Sequence, residues 1–267
     1  MATYNGQVIV LTGASQGIGK ALALALAPQK ATLVLAARDE AALRAVELQC
    51  RDLGARTLVV KTDVTDEEDC RRLIRRAVDV FGALHVLIHN AGGGMNARFD
   101  EMTDISVFEK LMRLNYLGPV YLTHEALPHL KKSRGQIVVI SSVAGLTGVP
   151  LRTAYSGSKH AVFGLFESLR IELAEFGVSV TMVAPDFVQS EIHVRAYGPD
   201  GKPVGDSTIA ERVAMPAEEC ARLIMGAMAK RQRLLITSRR GKLGRFVRLV
   251  APGLIDRIAK RAIRLGV

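Results

Sequence analysis

Short runs of consecutive apolar residues punctuate the chain: QVIVLT over Gln7–Thr12, TLVLAA from Thr32, TLVV running into Lys61, and VSVTMVA over Val178–Ala184. Such runs read as strands buried on both faces, since a strand with one wet face would alternate apolar and polar side chains. Between them lie longer stretches of helical pattern, among them ALALALA over Ala21–Ala27 and the segments near residues 104–132 and 153–176. Strands are expected to begin near residues 7, 32, 56, 84, 135, 178 and 233, each joined to the next through a helix. Repeated right-handed crossovers of this kind predict an α/β fold, a single-domain doubly wound parallel sheet with helices on both faces. The domain spans residues 1–237, and residues 238–267 form an extension.

A chain of 267 residues, 49% hydrophobic, can close a full core, and its glycines and prolines are scattered without a low-complexity linker. Cys50, Cys70 and Cys220 are odd in number and widely spaced, which suggests thiols in a reducing compartment. Neither they nor the six histidines show metal-ligand spacing, so no metal is expected. The chain enters its first strand near residue 7, leaving no room for a secretory signal, and Pro28 and Lys30 interrupt the longest apolar run. A cytoplasmic location is expected.

Chemistry enters with Tyr155 and Lys159 in AYSGSK, four residues apart and so on one helix face. A phenol with a pKa near 10 is poorly poised as an acid at neutral pH, and a nearby ammonium favours its ionised form. Ser142 ends an apolar strand thirteen residues earlier, where its hydroxyl is placed to hydrogen-bond an oxygen that gains negative charge. The loop TGASQGIG, Thr12–Gly19, joins the first strand to the first helix. There Gly13 permits the tight turn, Gly17 lets the backbone approach a pyrophosphate and Gly19 allows close helix-to-strand packing. The N–H groups of the loop and helix start, around Ser15, Gln16 and Ile18, are expected to serve as donors for phosphate oxygens. Gly13–Gly17 also fits the G-x-S-x-G elbow of acyl hydrolases, but the dinucleotide loop already explains those glycines and no H-G-G-G motif accompanies them.

Taken together, these motifs resemble those of the short-chain dehydrogenase/reductase family over nearly the whole chain. The match comprises the T-G-x-x-x-G-x-G loop, His89-Asn90-Ala91-Gly92 for its N-N-A-G, and the set Ser142, Tyr155 and Lys159 with Asn115 as fourth member. The resemblance implies a Rossmann-type fold, a nicotinamide cofactor and hydride transfer to a carbonyl or from a secondary alcohol. Tyr155 would be the acid/base, and Lys159 would lower its pKa and hold the cofactor ribose. Ser142 would position the substrate oxygen, and Asn115 would hold a water in the proton relay. Asn90 would brace a strand beside the cofactor, and Asp63-Val64 would contact adenine. The helical stretches near 104–132 and 153–176 would pair with copies of themselves in a homodimer or homotetramer. At the end of the second strand, Ala37 stands where an acid would bind a ribose 2′-hydroxyl, and Arg38 follows. NADP(H) is therefore favoured over NAD(H), although Asp39 and Gln16 argue the other way.

PLRTAY, Pro150–Tyr155, and Ser158-Lys159-His160-Ala161 look most like the branch with hydroxysteroid dehydrogenases and membrane-associated carbonyl reductases, which implies a lipophilic substrate. A 3-oxoacyl thioester reductase and a non-catalytic NADP(H)-binding regulator or scaffold are the alternatives. Two positions depart from the pattern: His89 replaces an asparagine, and Asp186 stands where relatives have glycine. Arg195–Gly205, rich in turn formers, is expected to form a mobile lid. Residues 230–267 carry twelve Lys or Arg against one acid, Asp256, so the chain's +10 resides there and the remainder sums to −1. Leu254, Ile255, Ile258, Ala262 and Leu265 recur at helical spacing among basic residues. Residues 241–267 thus suit either peripheral contact with an anionic membrane or packing on protein. Nucleic acid is not expected, with Phe246 the lone aromatic there.

Overall fold

The computed structural model describes residues 4–205 and 214–264. Seven strands form one parallel sheet: β1 (Val8–Thr12), β2 (Thr32–Ala37), β3 (Arg56–Lys61), β4 (Val86–His89), β5 (Gln136–Ile140), β6 (Ser179–Ala184) and β7 (Leu234–Ile236). Their order is β3-β2-β1-β4-β5-β6-β7, so the chain reverses its direction of winding between β1 and β4. The crevice beyond the carboxyl ends of those two strands is the natural binding place in such a sheet.

Alternate side chains of each strand feed two cores. Ile9 and Leu11 of β1 point to the layer of α1 (Gly17–Leu26), α2 (Glu40–Asp52) and α7 (Ala217–Ala229), where they meet Leu22, Leu43 and Ile224. Val8 and Val10 point to the other layer, built from α3 (Glu67–Phe81), α5 (Gly118–Ser133) and α6 (Thr153–Glu172), with Ile74, Leu122 and Phe166. Burial on both sides explains why the strands read as unbroken apolar runs. Local signals place the helix ends: Asp39 and Asp66 accept from the N–H groups of Ala42 and Asp69, and Gly82 closes α3 at φ 74°.

Helix α4 (Ser106–Met112) runs into α5 through a π-helical turn at Arg113–Leu117. Pro119 has no N–H for the carbonyl of Asn115 four residues back, and the extra residue in the turn relieves that conflict. Helices α8 (Arg239–Val250) and α9 (Pro252–Arg264), separated at Ala251, follow β7. The turn-rich segment expected to be a lid makes long-range backbone hydrogen bonds in this conformation. Tyr197 exchanges backbone hydrogen bonds with Gly94 and Asn96, and the Pro199 carbonyl accepts from the N–H groups of Thr103 and Asp104. No helix among the described residues is long and apolar enough to cross a membrane.

Candidate active site

The loop after β1 is left-handed at Gly13 (φ 64°) and Gly17 (φ 53°). A Cβ at Gly13 would lie 2.8 Å from Asn90 Nδ2 and 2.9 Å from Ala91 Cα, so only glycine lets the loop sit against β4. Asn90 binds that loop directly: its Nδ2 donates to the carbonyls of Thr12 and Gly13, each at 3.0 Å. Thr12 completes the clasp, its Oγ1 donating to Ile88 O and accepting from the N–H groups of Asn90 and Ala91. A cleft of about 900 Å³ opens here, lined by Gly13, Ser15, Gln16, Gly17 and Ile18 at one end and Ser142, Tyr155 and Lys159 deeper in. Gly19 lies behind the loop, where a Cβ would collide with the Gly13 carbonyl.

Arg38, Asp63, Val64 and Asn90 line the same cleft. Asp39 caps α2, its carboxylate accepting from Ala42 N at 3.0 Å, while Arg38 is exposed and makes no ion pair among the described residues. The Asp63 carboxylate accepts from Thr65 N at 3.0 Å and from Thr65 Oγ1 at 2.8 Å, which fixes the turn after β3.

Ser142 follows β5 at an extended backbone, and its Oγ accepts from Ala144 N at 3.1 Å. Tyr155 and Lys159 lie on the first turns of α6, both buried. Burial raises the phenol's pKa, offset in part by a hydrogen bond with Ser142 and by the positive charge of Arg152. Burial pushes the Lys159 ammonium down to about 8. Its Nζ donates to the Ile140 carbonyl at 3.1 Å and lies 5.7 Å from the centroid of the Tyr155 ring. Lys159 is therefore anchored to β5, and the positive charge of Arg152 opposes part of the burial-driven rise in the phenol's pKa.

Asn115 sits on the π-helical turn, wholly buried beneath the cleft. Its Oδ1 accepts from Gly93 N at 3.0 Å, and its Nδ2 donates to Gly93 O at 3.1 Å and Ser158 Oγ at 2.9 Å. A Cβ at Gly92 would come within 3.1 Å of Asn115 Oδ1 and 3.5 Å of Lys159 Nζ, so the glycine keeps the space before both groups open.

Residues 7–197 match the family model described as short chain dehydrogenase. The chain belongs to the short-chain dehydrogenase family. It is 36% identical over 258 residues to an 11-beta-hydroxysteroid dehydrogenase of Pinus massoniana, an alignment covering 94% of this chain and 72% of that protein. It is 34% identical over 261 residues to a dehydrogenase/reductase SDR family protein 7-like of Dictyostelium discoideum, covering 96% of this chain and 81% of the relative. An 11-beta-hydroxysteroid dehydrogenase A of Sesamum indicum is 42% identical over 188 residues, covering 70% of this chain but 54% of its own length. Among solved structures, a short chain dehydrogenase/reductase from Burkholderia phymatum in complex with NAD superposes with a TM-score of 0.84 at 28% identity, covering 95% of this chain and 96% of that one.

Within this short-chain dehydrogenase, the two departures from the family pattern have structural explanations. His89 Nε2 lies 2.8 Å from Thr123 Oγ1 and its ring packs on Phe166, while burial pushes its pKa down to about 3 and keeps it neutral. Asp186 is an anchor. Its Oδ2 accepts from Ser238 Oγ at 2.7 Å and from Arg240 Nε at 3.2 Å, and its Oδ1 accepts from Arg240 Nη2 at 2.8 Å. Ser238 in turn caps α8 through Gly241 N, and Arg248 donates to the Leu146 carbonyl. The basic tail thus packs on its own domain, and Ile255, Ile258 and Ala259 of α9 line the cleft. Sequence reasoning missed Arg152, Arg240 and this apolar roof. The guanidinium at position 152 stood in the quoted PLRTAY segment, three residues before the tyrosine, and was the one available signal.

Proposed function

We propose that this protein transfers hydride between NADP(H) and the carbonyl or secondary alcohol of a lipophilic substrate. The carrying observation is the convergence of Ser142, Tyr155 and Lys159 in one cleft with the glycine loop after β1. The donor set suits a dinucleotide: the left-handed glycines, the open start of α1 and the space kept by Gly92 form a cradle that side chains would fill. When bound, the nicotinamide supplies or takes up the hydride. The Ser142 oxygen accepts from Ala144 N, and its O–H, which faces the Tyr155 oxygen, would donate to the substrate oxygen once that atom lies between them. Tyr155, kept protonated by burial, gives its proton to that oxygen in reduction and recovers it in oxidation. Lys159 holds its ammonium at the base of the site to meet a ribose hydroxyl and to stabilise the phenolate that follows proton transfer. Asn115 fixes the backbone at Gly93 and presents its own carbonyl, outside the α-helical ladder, for a relay water.

Arg38 supports the phosphorylated cofactor, because its guanidinium is uncommitted and its acidic neighbour is used as a helix cap. Tests begin with oxidation of NADPH and NADH against carbonyls from short aldehydes to steroid-sized ketones and acyl thioesters. Tyr155→Phe is expected to lower turnover by at least about a hundredfold while cofactor binding persists. Arg38→Asp is expected to reverse the preference for NADPH. Turnover of thioesters alone would favour the oxoacyl reductase reading, and cofactor binding without any turnover would favour a regulatory one.

A second reading concerns location. Leu243, Phe246, Leu249, Val250, Leu254 and Ile258 are exposed on α8 and α9 beside Arg and Lys side chains, which supports peripheral contact with an anionic membrane at the mouth of the cleft.

A further inference from the structure

Arg152 stands at the entrance of α6, one residue after Leu151, whose backbone is left-handed at φ 65°. Leucine rarely adopts that conformation, and here a hydrogen bond from Ala97 N to Leu151 O at 2.9 Å holds it. The turn delivers the Arg152 side chain into the cleft, half-buried, beside Tyr155 and 5.9 Å from the centroid of the Phe187 ring. Among the described residues this guanidinium makes no ion pair and no hydrogen bond.

The acidic side chains that share the cleft are committed elsewhere. Among the described residues, four carboxylates line the cleft: Asp39, Asp63, Glu101 and Asp186. Asp39 caps α2, Asp63 holds Thr65, Glu101 pairs with Arg98 at 3.3 Å, and Asp186 is taken by Ser238 and Arg240. Arg240 also lies over Phe187, at 5.2 Å, but its charge is answered by Asp186. A guanidinium withdrawn from water without a counter-charge is costly unless a ligand supplies one. Its planar fork matches a carboxylate, and the apolar surface contributed by Val149, Ile192, Ile255 and Ile258 matches a hydrocarbon body.

We propose that Arg152 anchors a carboxylate on the substrate, so that the preferred compounds are oxo acids or hydroxy acids with an apolar body. This rests on the oxidoreductase reading above and narrows its substrate class. Arg152 is then a specificity-determining residue whose field also assists the adjacent phenol.

The test uses ketones of graded chain length, each bearing a terminal carboxylate and each paired with its neutral primary amide. In the intact protein, kcat/KM is expected to be at least about tenfold higher for the acid than for the amide at the preferred length. Arg152→Leu should bring that ratio to about one, whatever happens to the amide rate, and Arg152→Lys should keep part of it. Arg76→Leu removes the same charge from the exposed face of α3 and should leave the ratio intact. An acid-to-amide ratio near one in the unmodified protein, or a ratio unchanged by Arg152→Leu, overturns the proposal. A readout independent of turnover is calorimetric binding of decanoate and decanamide to the cofactor-loaded protein. If no carbonyl compound is reduced yet decanoate binds in an Arg152-dependent way, the oxidoreductase reading falls and the anion subsite stands; if both compounds bind alike, the subsite falls.

Discussion

His89 shows how a single ring can set the acid limit of the fold. In the unfolded chain it takes up a proton near pH 6.5, but in the folded protein not until about 3, because burial penalises the imidazolium. Between those values the unfolded state binds more protons than the native one, so stability falls as pH drops below about 6.5 and the loss is complete near 3. The loss between pH 7 and 5 is about 2 kcal/mol. Urea midpoints across that range should show it, and His89→Asn should flatten the dependence. Gly145 illustrates a steric limit: a Cβ there would lie 2.7 Å from the Phe163 ring and 2.8 Å from the Lys159 carbonyl. Gly145→Ala must push α6 outward, carrying Tyr155 and Lys159 away from Ser142. We expect a stability loss of about 1–3 kcal/mol and a drop in kcat/KM of more than tenfold; unchanged kcat/KM at lowered Tm would show that the spacing is not critical. At this scale the sequence was informative wherever chemistry depends on short spacing, as with Tyr155 and Lys159 on one helix face. It gave only a weak signal for Arg152, because an arginine beside a helix start is ordinary until the partners of the acids in the cleft are known.

At the scale of elements, the glycine loop and the strands were legible because burial on both faces leaves an unbroken apolar run and Gly13 has no steric alternative. The π-helical turn was not, although Leu117-Gly118-Pro119 carried a hint: the proline cannot serve Asn115, and a Cβ at Gly118 would lie 2.7 Å from Val64 O. The hydrogen bonds that Arg195–Gly205 makes with Gly94, Asn96, Thr103 and Asp104 were not legible, because turn formers report backbone shape and not long-range partners. Asp186 was recognised as unusual, but its partners Ser238 and Arg240 lie about fifty residues away. Removing that carboxylate with Asp186→Gly should raise amide hydrogen exchange across Arg239–Val250 while β4 and β5 stay protected. Exchange unchanged in α8 would mean that its cap and the Arg248 contact suffice.

For the whole molecule, the charge distribution divides the chain into a near-neutral catalytic body and a strongly basic pair of helices. Of the two outcomes anticipated for that tail, packing on protein is the one visible: α8 and α9 pack over the cleft with some apolar side chains, while Leu249 and its neighbours stay in solvent. Deleting residues 241–267 should abolish sedimentation with anionic liposomes at low salt and raise KM for apolar carbonyls more than for short aldehydes. Sedimentation that survives the deletion would rule out the membrane contact.

The bond between Asp186 and the start of α8 couples two distant stretches of chain. A graft of this tail onto a relative that has glycine at the corresponding position would arrive without its mooring, and a carboxylate introduced there without Arg240 would be left without its counter-ion. Changes at the two positions should therefore be non-additive in a double-mutant cycle, and a transplanted roof is expected to seat better when the residue that follows Pro185 travels with it.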